Sequence, residues 1–360
     1  MAKKERNFSR FLNNPIDFTL VITILLLLGI GLVMILSASS PSALSESGNS
    51  YAYFSKQLIF AVLGIIAMSI ISKIDYRFYQ KFYKHSWWLS IILLGAVLVI
   101  GDTRNGAKRW IFVTETLSIQ PSEIVKFLMI VFYAGVLVKN RDTLSLYGKG
   151  LIKNIAFLAP IIGLLLLQPH FSASIVIIGI VCIIMIVAGC KFKHFLLTGL
   201  GLGLPGLAVL IAIEPYRLQR FLTFLNPWAD ATNTGWQVIQ SLYAIGSGGL
   251  FGVGLGDSKQ KYLYIPEPHN DFIFSILAEE IGFVGCTIVL ILFAVFIWRG
   301  VLIAMKAPDM FGSLVAIGIT SLVAIQAIIN VAVVTSSMPA TGMPLPFFSY
   351  RRYSALYITV

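Results

Sequence analysis

Charge is scarce in this sequence. Only 12% of its 360 residues are Asp, Glu, Lys or Arg, against 57% hydrophobic residues and a mean hydropathy of +0.85. A soluble domain carries roughly twice that charged fraction, so a water-soluble globular fold is excluded. Cysteine is scarce too. Cys182, Cys190 and Cys286 lie in or at the ends of apolar runs with no CxxC spacing, which supports neither a disulfide framework nor a zinc site. Of the 4 histidines, His85 and His194 fall among basic loops. His170 reads as a solvated turn residue, and His269 with scattered carboxylates makes a poor metal site. A cleavable signal peptide is not evident: the basic start (Lys3, Lys4, Arg6, Arg10) leads into an apolar run too long for one.

What is present is one apolar run after another, near 16–37, 55–72, 87–100, 122–139, 151–167, 172–189, 195–213, 272–298 and 311–335, with a tenth beginning near Pro346. A run of about 20 apolar residues crosses the bilayer core. The expected fold is therefore an all-α membrane protein of about ten transmembrane helices, a single domain over residues 1–360. The last run holds only about 14 residues, short of that length, which points to a truncated or altered end. With the N-terminus inside, the cytoplasmic segments hold 16 Lys and Arg and the opposite side holds 8. That bias orients the chain and explains the net charge of +11 without nucleic acid. A long loop, 214–271, between the seventh and eighth helices then lies outside the cell, as does the polar loop 101–121.

The long loop alternates aromatics, amides and glycines, so it should fold onto the bundle. Its glycine run, Gly246 to Gly256, lacks the Gly-Lys-Ser/Thr ending of a phosphate loop. Close backbone packing against the membrane surface is the favoured reading over direct pyrophosphate contact. Asp271 starts an apolar helix, where an acid can serve as an N-cap or complement the helix dipole. Its rigid, polar approach through two prolines, Glu267 and His269 also suits a general base at the membrane–water boundary. Glu123 and Lys126, three residues apart, share a helix face, and Glu279 and Glu280 lie two turns into the eighth span. Charges in spans normally face the bundle interior or a wet cavity. A locking ion pair and a substrate cavity both fit them.

Seven stretches carry a family resemblance: NGAKRWI (105–111), QPSEIVKF (120–127), LLQPHFSAS (166–174), FLNPW (224–228), AIGSGGLFGVGLGDSKQKYLYIPEPHNDFIF (244–274), AEEIGFVG (278–285) and PATGMPLPFFSY (339–350). Together they resemble the SEDS family (shape, elongation, division and sporulation proteins) over nearly the whole chain. The Ser-Lys-Gln-Lys stretch before Tyr-Ile-Pro-Glu-Pro looks like the FtsW/SpoVE branch rather than RodA. The resemblance implies ten helices with both termini cytoplasmic, in the bacterial cytoplasmic membrane. It further implies polymerisation of lipid II into glycan strands beside a class B penicillin-binding transpeptidase and other divisome proteins.

By resemblance the essential aspartate is Asp271, with Arg109, Glu123 and Lys126 as further functional positions. Glu267 and His269, in the same motif as Asp271, are candidate substrate-binding residues. Inverting glycosyl transfer would leave a pyrophosphate whose charge calls for Arg or Lys side chains, or for a divalent cation such as Mg or Mn. Arg109, Lys259 and Lys261 are the candidates by charge and side, and no organic cofactor is expected. Two departures stand out: Arg351-Arg352 replaces the family's Gly-Gly after Ser349-Tyr350, and His170 stands where many members have Asp. Rival readings are a lipid II flippase, a RodA-type elongation polymerase, and a scaffold that only recruits the transpeptidase.

Overall fold

In lipid every backbone N–H and C=O must find its partner within the protein, so the apolar runs become helices. The computed structural model describes residues 16–104, 107–112, 118–213, 215–262, 265 and 268–350. The helices are α1 (Phe18–Ser47), α2 (Ala52–Ile71), α3 (Arg77–Lys81), α4 (Tyr83–Ile100), α5 (Pro121–Lys139), α6 (Lys153–Leu167), α7 (Phe171–Ala188), α8 (Phe192–Thr198), α9 (Leu204–Ile213), α10 (Pro215–Leu225), α11 (Trp236–Gly248), α12 (Ile273–Lys306) and α13 (Met310–Val334). Among the described residues eight are long and apolar enough to cross a membrane: α1, α2, α4, α5, α6 with the π turn before it, α7, α12 and α13. The chain is a multi-pass membrane protein. Helix α5 forms its centre, with 72% of its spanning window buried against 17% for α2.

The seventh expected span is present but broken. Helices α8 and α9 are joined by a π turn over Gly199–Gly203, where three glycines and Pro205 weaken the helix. The tenth expected span is not helical through Tyr350. Pro344 and Pro346 stand before and at its start, and positive φ at Phe347 (67°) turns the chain within it. The segment instead folds back, burying Phe347 and Phe348 against Phe293 and Phe296. Arg351 and Arg352 lie outside the described residues.

The loop after α4 holds strands that the all-α expectation did not include. Strands β1 (Asp102–Arg104), β2 (Ala107–Phe112) and β3 (Ser118–Ile119) form an antiparallel sheet in that order. At the other end of the bundle, side chains tie the helices together. Asp17 caps α1 through Leu20 N and pairs with Arg299, which holds its carboxyl below the usual range. Asp309 accepts from Arg77 and from the Tyr76 hydroxyl, whose pKa burial and that carboxylate push up to about 12.

Candidate active site

The glycine run is a structural splice. Helix α12 breaks at Gly282 (φ 66°, ψ −168°), which frees carbonyls before the break and amides after it. The loop supplies both partners. Val253 N donates to Glu279 O (2.9 Å) and Gly254 N to Glu280 O (3.1 Å), while Phe283 N and Val284 N donate to Gly249 O and Leu250 O (2.9 and 3.0 Å). A Cβ at Gly282 would stand 2.3 Å from Gly252 N, so only glycine allows the approach. Two loop amides that a phosphate reading would use are thus committed to the helix. The run packs closely, as expected, but onto the break in α12 rather than onto the membrane surface.

Below the splice the two acidic side chains divide their work. Glu279 accepts from Lys259 N (3.0 Å), Gln260 N (3.4 Å) and the Ser258 hydroxyl, capping the loop. Glu280, fully buried, pairs with Lys261 Nζ at 3.0 Å. Lys261 also donates to Ser37 Oγ on α1 and to Gly256 O. Of the two lysines expected at the pyrophosphate, Lys261 is therefore engaged inside the protein, while Lys259 is exposed.

Asp271 sits just outside α12, half-buried. The capping position belongs to Phe272, which makes no side-chain cap bond, so Asp271 is not the N-cap residue. In the fold-back segment Ala340, Thr341 and Met343 are held by side chains from three elements, and Gly342 between them borders Asp271. Arg220 Nη1 of α10 donates to Ala340 O (2.7 Å), and Ser172 of α7 donates to Thr341 O. Gly342 faces Asp271: a Cβ there would stand 3.2 Å from Oδ2. Asn330 of α13, completely buried, donates from its amide to both Asp271 O (2.8 Å) and Met343 O (2.7 Å).

The other predicted residues converge on the same end to different degrees. Arg109, on β2, donates to Pro169 O, which brings the first loop to the turn before α7. The next residue, His170, is 7% exposed with Nε2 2.7 Å from the Gln120 amide nitrogen; the solvated turn residue expected there is in fact buried. Glu123 and Lys126 pair at 2.7 Å with side-chain exposures of 20% and 1%, so the lysine is interior and the carboxylate borders accessible space. His269 stacks on Tyr53 (4.9 Å, 25°) and meets Tyr350 edge-on (5.8 Å), and Tyr350 N donates to His269 O. Glu267 lies outside the described residues. Among the described residues no three His, Cys, Asp or Glu side chains converge to hold a metal. Sequence reasoning missed Asn330 and Gly342, although an Asn within an apolar span is itself a signal.

The profile of the FtsW/RodA/SpoVE family, described as cell cycle proteins, matches residues 18–360. Stage V sporulation protein E of Bacillus subtilis is 45% identical over 337 residues, covering 93% of this chain and 91% of its own. A probable peptidoglycan glycosyltransferase FtsW of Trichlorobacter lovleyi is 38% identical, with 94% and 89% covered. Among solved structures, a chain from a peptidoglycan synthase complex that coordinates polymerization and crosslinking superposes with a TM-score of 0.78 at 29% identity, covering 95% of both chains. Rod shape determining protein RodA of Thermus thermophilus gives 0.70 at 26% identity over 95% and 93%. On this profile match and these identities, the chain belongs to the FtsW/RodA/SpoVE family, the SEDS proteins, on its FtsW/SpoVE branch.

Proposed function

We propose that this protein is a peptidoglycan glycosyltransferase that polymerises lipid II at the outer face of the cytoplasmic membrane, for division or sporulation. The observation that carries the reading is Asp271: a carboxylate at the end of the bundle, outside the cap position, with its backbone held by Asn330 and with Gly342 leaving room beside its Oδ2. In the proposed step its Oδ atom takes the proton of the acceptor sugar hydroxyl. The freed oxygen forms a bond to the donor anomeric carbon as the bond to the undecaprenyl pyrophosphate breaks, and the electron pair leaves with the pyrophosphate. A single displacement inverts the anomeric centre. Arg109 and Lys259 are the side chains that would meet the departing charge, with Glu123 and Lys126 shaping the polar wall near the first loop. Lys261 is assigned to the buried pair with Glu280, and His269 to holding the Asp271 turn between Tyr53 and Tyr350.

An apolar groove of about 580 Å³ between α1 and α12, bounded at one end by Leu255, suits a stretch of prenyl chain. A divalent cation such as Mg would be held largely by the substrate's own pyrophosphate oxygens, with one or two carboxylates at most. A class B penicillin-binding protein is the partner proposed from the synthase complex. The test is glycan synthesis from purified lipid II by the reconstituted chain, with and without that partner. Polymer is expected, and lipid II flipping without polymer would overturn the reading in favour of transport.

A further inference from the structure

We propose that a cavity between α10, α11 and the segment after α13 is a subsite for an N-acetylhexosamine unit. The proposal rests on the glycosyltransferase reading and deepens it. The cavity holds about 140 Å³ and is lined by Gln219, Arg220, Thr223, Phe224, Asn233 and Gln237, with Ser336 to Ala340 closing one side. Its polar groups are neutral amides and hydroxyls plus one guanidinium, and no carboxylate lines it among the described residues. That set matches the hydroxyls and acetamido group of an amino sugar, and Phe224 offers an apolar surface to a ring face. Gln219 and Asn233 are exposed and Gln237 is half-buried, so an occupant displaces water from them, and an apolar tail would offer no hydrogen bond in exchange. A pyrophosphate would find a single cation, itself donating to Ala340 O.

The walls are pre-set. Asp230 accepts from Thr234 Oγ1 (2.8 Å), Thr234 N (3.2 Å) and Asn233 Nδ2 (3.0 Å), and Thr234 lies 2.9 Å from Thr223 Oγ1 across to α10. Placement gives the cavity its purpose. Arg220 grips Ala340, and Gly342, two residues further on, faces Asp271. Two residues of chain span at most about 7 Å, so a sugar in the cavity would neighbour the one at the carboxylate. The same chemistry could come from the growing strand or from the incoming lipid-linked disaccharide, and the two make different demands on kinetics.

The full chain in nanodiscs is compared with Gln237→Leu and Gln219→Leu, which keep bulk and remove the amides, and with Gln237→Asn, which keeps one. Strand length and the half-saturating lipid II concentration are measured, together with saturation-transfer NMR of an N-acetylglucosamine tetramer. Each lost hydrogen bond should weaken binding on the order of fivefold, with Gln237→Asn closer to the parent. Shorter strands at unchanged half-saturation identify the strand as occupant; raised half-saturation at unchanged length identifies the lipid-linked sugar. Leu variants that match the parent in strand length, half-saturation and saturation transfer overturn the subsite. A parent that makes no polymer refutes the enzymatic reading instead, and the tetramer signal, lost or kept in Gln237→Leu, still decides whether the cavity binds amino sugars.

Discussion

Gly342 and Asn330 act on opposite sides of one carboxylate-bearing turn. Asn330 fixes the backbone of Asp271 and of Met343 with one amide, so it sets the distance between two segments far apart in sequence. Gly342 supplies the space for Oδ2 at a φ of +67°, where an L side chain costs about 1–2 kcal/mol. Gly342→Ala adds that strain and a methyl 3.2 Å from the carboxylate oxygen. Polymerisation should fall at least tenfold, the scale set by about 1.4 kcal/mol at the transition state, while membrane abundance on immunoblots stays near parental. A Gly342→Ala protein that polymerises at the parental rate would show that the space beside Asp271 is not needed.

Among the elements, the splice between the glycine run and α12 carries the architecture. It satisfies the backbone groups freed by the Gly282 break, and the Lys261–Glu280 pair anchors it to α1 through Ser37. Stranding one member of a buried pair costs about 3–5 kcal/mol. Lys261→Met should therefore sharply lower abundance and thermal stability, and adding Glu280→Gln should recover part of the loss. A single Lys261→Met as stable as the parent would remove the pair from the account. Much of this level was legible in the sequence. Among the described residues eight of the runs are helices long and apolar enough to cross a membrane, because apolar length alone decides that, and the glycines read as packing because no phosphate-loop ending follows them. Other features needed tertiary information. The short strands around Arg109 are set by pairing, not by periodicity, and His170 is buried through a partner 50 residues away. The roles of Lys259 and Lys261 separate only when Glu280 is seen beside one of them.

At the scale of the whole molecule, loop charge predicts the orientation, and the proposed chemistry requires Asp271 to face outward. Thr232 and Ser145 are both exposed, on the long loop and on the connection after α5. In intact cells a cysteine at Thr232 should react with a membrane-impermeant thiol reagent and one at Ser145 should not; the reverse pattern would invert the topology. The most direct test of the catalytic claim is Asp271→Asn, measured for membrane abundance and lipid II polymerisation in the same preparation. Asn keeps the size and shape of the side chain, but it cannot accept the acceptor proton, a contribution of roughly 10²–10⁴-fold to rate. Parental abundance with polymer formation reduced by that factor is the predicted result, and an Asn variant that polymerises at the parental rate would contradict it.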